Sequence, residues 1–252
     1  MIAVVAAAVA ALVLGLSGGS SRPQRPFTPV VAAPPPLAPV APVAQQAVNL
    51  TLPPGQGVVV AEVLRPTAMR ASPGGRVLAR LGTHTGFGSP EYLWVVRSAP
   101  AWLGVVSPLV GNGRLGWIPQ SATELGRVKW QLKVSLSARS LTVLMGGRVV
   151  RRYTVSIGAP QSPTPTGRFA VTDRLRTADP GGPYGCCILA LSAVTPHVVQ
   201  GWDGGDRIAI HTTPDTSTIG EAVSHGCVRV PAADGRWLLM HLPLATPTVI
   251  SS

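Results

Sequence analysis

The chain has 252 residues, enough for two compact units and a tail rather than one average domain, and 46% of it is apolar. Its formal charge of +11 is carried almost wholly by arginine, because Lys129 and Lys133 are the only lysines. That balance favours anionic partners. No basic run interleaved with aromatics, no zinc pattern and no helix-turn-helix pattern is present, which argues against nucleic acid.

Ile2 to Leu16 is an apolar run followed by Ser17-Gly18-Gly19-Ser20-Ser21, the hydrophobic segment and small-residue exit of an export signal. It is short for a membrane span and lacks a basic start, so residues 1–21 are expected to be a signal peptide or an uncleaved membrane anchor. Residues 22–57 are Pro-rich, as in Ala33-Pro34-Pro35-Pro36, with no apolar periodicity. An extended spacer of this kind rises roughly 3.1 Å per residue, so thirty residues reach on the order of 90 Å from a membrane tether or export site.

From Val58 onward short β-type runs alternate with turn signals: Val58-Val59-Val60, Arg76 to Leu81, Tyr92 to Val96, Trp102 to Val106 and Gly116 to Pro119. Several strands at this spacing predict a small barrel over 58–125. The order Met69-Arg70-Ala71-Ser72-Pro73-Gly74-Gly75, then the Trp102 strand, then Gly116-Trp117-Ile118 resembles a bacterial SH3-like domain, which implies a wall-binding or spacer module.

Beyond Val128 the chain reads as one further β-rich unit, 128–252. Lys133 to Leu136, Ser140 to Leu144 and Val149 to Ser156 form hairpin patterns around Gly146-Gly147. Arg168 to Val171 and Arg207 to His211 are further strands. Pro231 suits the first position of a helix whose Trp237, Leu238 and His241 fall at spacings of three and four before Pro243. Thr246 to Ser251 is expected to close the sheet. The fold class is therefore mainly β, with one or two short helices.

Three cysteines in an exported chain leave at least one thiol without an intramolecular partner. Cys186 and Cys187 are neighbours, and bridging neighbours strains the backbone, so they are expected as buried thiols in a strand rather than as a disulfide. Cys227 is then the thiol that needs a chemical explanation. It lies in Ser224-His225-Gly226-Cys227-Val228-Arg229, after the strand Ile208-Ala209-Ile210-His211 and Thr212. A free thiol is only slightly ionised at neutral pH, so a nucleophilic cysteine needs an imidazole to accept its proton, and either His211 or His225 offers one. On an extended segment His225 and Cys227 would share a face, and Gly226 leaves backbone amides, above all that of Cys227, open to an oxyanion. His211, His225 and Cys227 are also ligand types zinc accepts, but no further pair has metal spacing, so no metal is expected.

A strand-end histidine followed by Ser-His-Gly-Cys-x-Arg is similar to the signature of the L,D-transpeptidase catalytic family. The Thr164-Pro165-Thr166-Gly167 turn and the Gly185 to Ser192 strand extend the likeness over roughly 128–251. The resemblance implies that Cys227 is the nucleophile and His211 the general base, with the backbone carbonyl of Thr212 orienting the imidazole. It implies that His225 supports the site by hydrogen bonding, that Ser224 matches the Ser/Thr of the motif, and that Arg229 and Tyr184 serve the substrate cleft. It further implies formation of 3→3 cross-links between peptidoglycan stem peptides through a thioester, with no cofactor, in the cell wall or a periplasm-like space. Hydrolysis of stem peptides by an L,D-carboxypeptidase or endopeptidase, and a non-catalytic wall-binding protein, are the alternatives.

Overall fold

The computed structural model describes residues 48–49, 55–195 and 205–252, so the apolar N-terminal run and most of the Pro-rich spacer lie outside the described residues. Among the described residues no helix is long and apolar enough to cross a membrane. The protein is mainly β, and its described residues form two eight-stranded sheets, a two-stranded pair and one α-helix.

The first sheet takes β1 (Val48–Asn49), β2 (Val58–Val63), β3 (Thr67–Arg70), β4 (Val77–Leu81), β5 (Tyr92–Ala99), β6 (Trp102–Val105), β7 (Gly116–Pro119) and β8 (Thr123–Val128). Its order is β4-β3-β7-β6-β5-β2-β8, with β1 also on β5. Period-two alternation buries Leu93 and Val95 of β5 while Tyr92, Trp94 and Val96 stay partly exposed. The buried set meets Ala61, Met69, Leu103 and Ile118 in one cluster. This sheet runs on to Val128, because β8 pairs along the whole of β2.

The second sheet has β9 (Trp130–Ser135), β10 (Ser140–Met145), β11 (Arg148–Thr154), β13 (Gly167–Arg176), β14 (Cys187–Val194), β15 (Arg207–Thr212), β17 (Val228–Val230) and β18 (Pro247–Ser251). A separate parallel pair joins β12 (Ile157–Gly158) to β16 (Ala222–Ser224). The large sheet runs β11-β10-β9-β18-β13-β14-β15-β17. The C-terminal strand, expected to close the sheet, instead sits in its middle, parallel to β9 and antiparallel to β13. Pro247 and Thr248 are buried, and a central strand satisfies the backbone of so buried a segment on both sides. Helix α1 (Ala232–His241) lies against β14 and β15 with Gly235, Leu238 and Leu239 buried. Pro231 is its N-cap rather than its first helical residue.

The two sheets meet through polar contacts. Thr85 Oγ1 donates to Asp173 on β13, and the Asn112 side chain both donates to the Val194 carbonyl (2.7 Å) and accepts from its amide (3.0 Å). Glu91, Asp173 and Arg207 are charged neighbours here, with Glu91 and Asp173 buried.

Cys186 and Cys187 are joined as a disulfide, which corrects the expectation of two buried thiols. Gly185 adopts φ +57°, and β14 begins only at Cys187, so strand alternation does not force the two side chains onto opposite faces. Cys227 is the free cysteine.

Candidate active site

The site is assembled on two neighbouring parallel strands. Ile210 of β15 pairs with Val228 of β17, and His211 pairs with Arg229. Cys227, one residue before β17, therefore lies beside Ala209, whose backbone hydrogen-bonds its sulfur. Ala209 and His211 are two apart on one strand and so share a face, which puts the imidazole on the side of the sheet where Cys227 lies beside Ala209.

His211 is buried, and its Nδ1 lies 2.8 Å from the Thr212 carbonyl. That carbonyl can only accept, so Nδ1 carries the hydrogen and Nε2 is left as the base. Burial pushes the imidazole down to about 4; the Thr212 bond opposes the shift and Arg229 adds to it. Although Cys227 keeps some surface as a residue, its sulfur is desolvated, which pushes the thiol up to about 11 against the Ala209 bond and the Arg229 charge. Both shifts disfavour charge, so the resting pair is neutral thiol and neutral imidazole.

Tyr184 stands edge-on to His211 with ring centroids 5.0 Å apart. Its hydroxyl is raised from its ordinary value by burial and then by the nearby Cys227, with Arg229 opposing. Arg229 thus faces the thiol, the imidazole and the phenol together. Its Nε is buried and finds no hydrogen-bond partner among the described residues.

His225 behaves otherwise. It is exposed and makes no hydrogen bond among the described residues. Gly226 has φ +115°, which breaks the extended alternation that would place residues 225 and 227 on one face. Nor is the Gly226 amide open to substrate, because it donates to Ser224 Oγ at 3.1 Å. Ser224 Oγ in turn donates to the Cys227 carbonyl at 2.5 Å, so Ser224 shapes the turn from both sides of Gly226.

Sequence reasoning missed the clamp around this turn. Thr164 Oγ1 donates to the Gly226 carbonyl and accepts from the Gly158 amide, both at 2.8 Å, and Ser162 Oγ donates to the Ser224 carbonyl at 3.1 Å. The Thr164-Pro165-Thr166-Gly167 turn was the available signal. The Thr212 side chain was missed as well. Its hydroxyl donates to the Tyr184 carbonyl and accepts from the Cys187 amide, both at 3.2 Å. A Cβ at Gly185 would lie 2.2 Å from Thr212 Oγ1, and one at Gly235 would lie 2.0 Å from its Cγ2, so two glycines admit this residue.

Over its second sheet the chain is similar to known proteins. The model of the L,D-transpeptidase catalytic domain matches residues 129–250. The L,D-transpeptidase YkuD of Bacillus subtilis (strain 168) is 32% identical over 124 residues, which span 49% of this chain and 67% of that protein. This chain belongs to the L,D-transpeptidase family. L,D-transpeptidase 1 of Mycobacterium tuberculosis is 29% identical over 120 residues, 45% of this chain and 47% of its own. Among solved structures, an L,D-transpeptidase from Mycobacterium smegmatis gives a TM-score of 0.38 at 20% identity, covering 55% of this chain and 73% of that one. The matched family span begins after β8, so the first sheet stands outside it, and all the residues of the site described above lie inside it.

Proposed function

We propose that the protein is an exported peptidoglycan L,D-transpeptidase that forms 3→3 cross-links through a thioester on Cys227. The supporting observation is that His211, with Nδ1 held by the Thr212 carbonyl and Nε2 left without a hydrogen, sits on the strand that adjoins the desolvated Cys227 thiol. As His211 Nε2 takes the thiol proton, sulfur attacks the carbonyl carbon of the third stem residue. The oxygen that becomes negative accepts from the Cys227 amide. The carbon–nitrogen bond then breaks, the imidazolium returns its proton to the departing D-Ala amine, and a thioester remains. The side-chain amine of a second stem attacks that thioester, the new amide forms, and the sulfur is reprotonated. Arg229 puts a positive charge beside the thiol and the imidazole, which suits a substrate carboxylate.

Because both groups rest neutral, ion-pair formation is driven by the developing oxyanion rather than present beforehand. Intact-protein mass after mixing with a stem tetrapeptide tests the reading: an adduct of the tripeptide acyl mass on the parent chain, and none on Cys227→Ala, is expected. Unchanged turnover in Cys227→Ala would overturn it. With two stems present, a cross-linked dimer supports transfer, whereas free tripeptide alone would assign the hydrolytic alternative.

A further inference from the structure

The strand registers of the second sheet set up a row of cations that the thioester chemistry does not use. Arg152 on β11 lies opposite Thr142, Thr142 opposite Lys133, Lys133 opposite Val249, and Val249 opposite Arg168 on β13. Directly paired residues share a face, and neighbouring strands are roughly 4.8 Å apart, so Arg152, Lys133 and Arg168 recur about every 10 Å. All three are exposed. Leu132 and Val134, which flank Lys133 along β9, are buried in the core on the other face.

The row runs into a cleft of about 800 Å³ where the two sheets meet. Arg168, Val249 and Gln131 line one wall, and Arg97, Arg114 and the partly exposed Trp94 line the other. Among the described residues no carboxylate lines it. The Asn112 pairing with the Val194 backbone fastens the Arg114 loop to the second sheet, so the two walls are held together. The sequence reinforces this: between Glu124 and Asp173 there is no acidic residue, while Arg127, Lys129, Lys133, Arg139, Arg148, Arg151, Arg152 and Arg168 fall in that interval.

We propose that the cleft and the row together bind a linear sugar- or polyol-phosphate polymer, and that this holds the enzyme on an anionic matrix. Guanidinium groups match phosphate oxygens, their regular spacing matches a repeating charge, and Trp94 offers an apolar face to a sugar or polyol unit. A concave site with arginines on both walls fits a chain, whereas a bilayer would present a plane. The row starts at the β11 edge and the cleft reaches β13 and β14 in the middle of the sheet, whereas Cys227 precedes β17 at the opposite edge. Polymer binding there does not depend on the thioester reading.

The test uses the purified full chain and a labelled glycerol-phosphate polymer, with binding followed by fluorescence anisotropy at several salt concentrations. Four to five phosphate contacts on a single flexible chain predict a slope of log K against log salt of roughly −3. Lys133→Gln with Arg168→Gln should weaken binding at least tenfold and reduce the slope by about one, while the melting temperature and the rate of Cys227 alkylation stay at parent values. Arg76→Gln with Arg80→Gln, which removes exposed charge from β4 and the residue before it, should leave binding within twofold. Equal losses in both double variants would overturn the proposal, since charge alone would then be responsible. Tighter binding to phosphatidylglycerol vesicles, or to single-stranded DNA of matched charge, would overturn it in favour of a bilayer or a nucleic acid.

Discussion

The neutral resting pair can be tested directly through the reactivity of the one free thiol. Cys186 and Cys187 are bridged, so iodoacetamide should add once to the native protein, at Cys227, and three times after denaturation and reduction. Only the thiolate alkylates. Burial moves the Cys227 thiol from 9.0 to about 11, and at pH 8 those two units lower the thiolate population by a factor of about 100 relative to an ordinary exposed thiol. Between pH 7 and pH 10 the alkylation rate should therefore climb about tenfold per pH unit without levelling. No inflection should appear near pH 6, because His211 has already lost its proton well below that, at about 4. A plateau from pH 6 to 9, the mark of a preformed thiolate–imidazolium pair, would refute the reasoning. The quantity to measure is the second-order rate by intact mass, with Cys227→Ser as the blank.

Gly226→Ala should lower turnover and destabilise the fold by about 1–3 kcal/mol, because φ +115° is hostile to a side chain and its Cβ would meet Ile208 Cδ1 at 2.9 Å. Urea unfolding checks this, and a loss under 0.5 kcal/mol on the scale of ordinary surface changes would contradict it. Thr212→Val keeps the shape but removes the acceptor of the buried Cys187 amide and the donor to the Tyr184 carbonyl, at a cost of about 1–3 kcal/mol for the buried amide. Thermal melts should fall, and kcat should fall with them as the Tyr184–His211 contact loosens. Glu91 is raised from 4.5 to about 7 by burial first and by Asp173 second, against Arg207. The folded state thus favours the protonated acid. No penalty exists below pH 4.5, it grows as pH rises, and above pH 7 it is complete, on the order of 3 kcal/mol. Glu91→Gln should stabilise the protein at pH 8 and leave it unchanged at pH 4; equal effects at both pH values would refute the assignment.

Val58 to Val60, Tyr92 to Val96 and Arg207 to His211 all lie within observed strands and were legible as runs rich in β-branched and aromatic residues; Tyr92 to Val96 alternates partly exposed and buried positions, whereas β15 is buried from Ile208 to Thr212. By contrast β8, Thr123–Val128, shows almost no alternation, being exposed at every position but the ends, and it is held by β2 alone. The placing of β18 between β9 and β13 was hidden for another reason: pairing partners more than 75 residues apart leave no local trace. The same division runs through the site. Cys227 and His211 are readable from a short motif and a strand end. The exposed position of His225 depends on one glycine dihedral, and the Thr164 clamp bridges 62 residues.

Thr212 shows why a site of this kind needs more than its reacting atoms. Its carbonyl fixes which nitrogen of His211 is free, while its hydroxyl ties the Tyr184 carbonyl and the amide of Cys187 to the same residue. Cys186 Sγ lies 3.7 Å from that hydroxyl, so the bridged pair packs directly behind the residue that orients the base. On its other side Gly235 lets helix α1 approach within contact of the Thr212 methyl. Motion of the helix, of the Tyr184 turn or of the cysteine pair would each reach His211 through this one side chain. Under the proposed mechanism the pair rests neutral and the direction of Nε2 decides whether proton transfer accompanies attack, so that mechanism requires rigidity at Thr212.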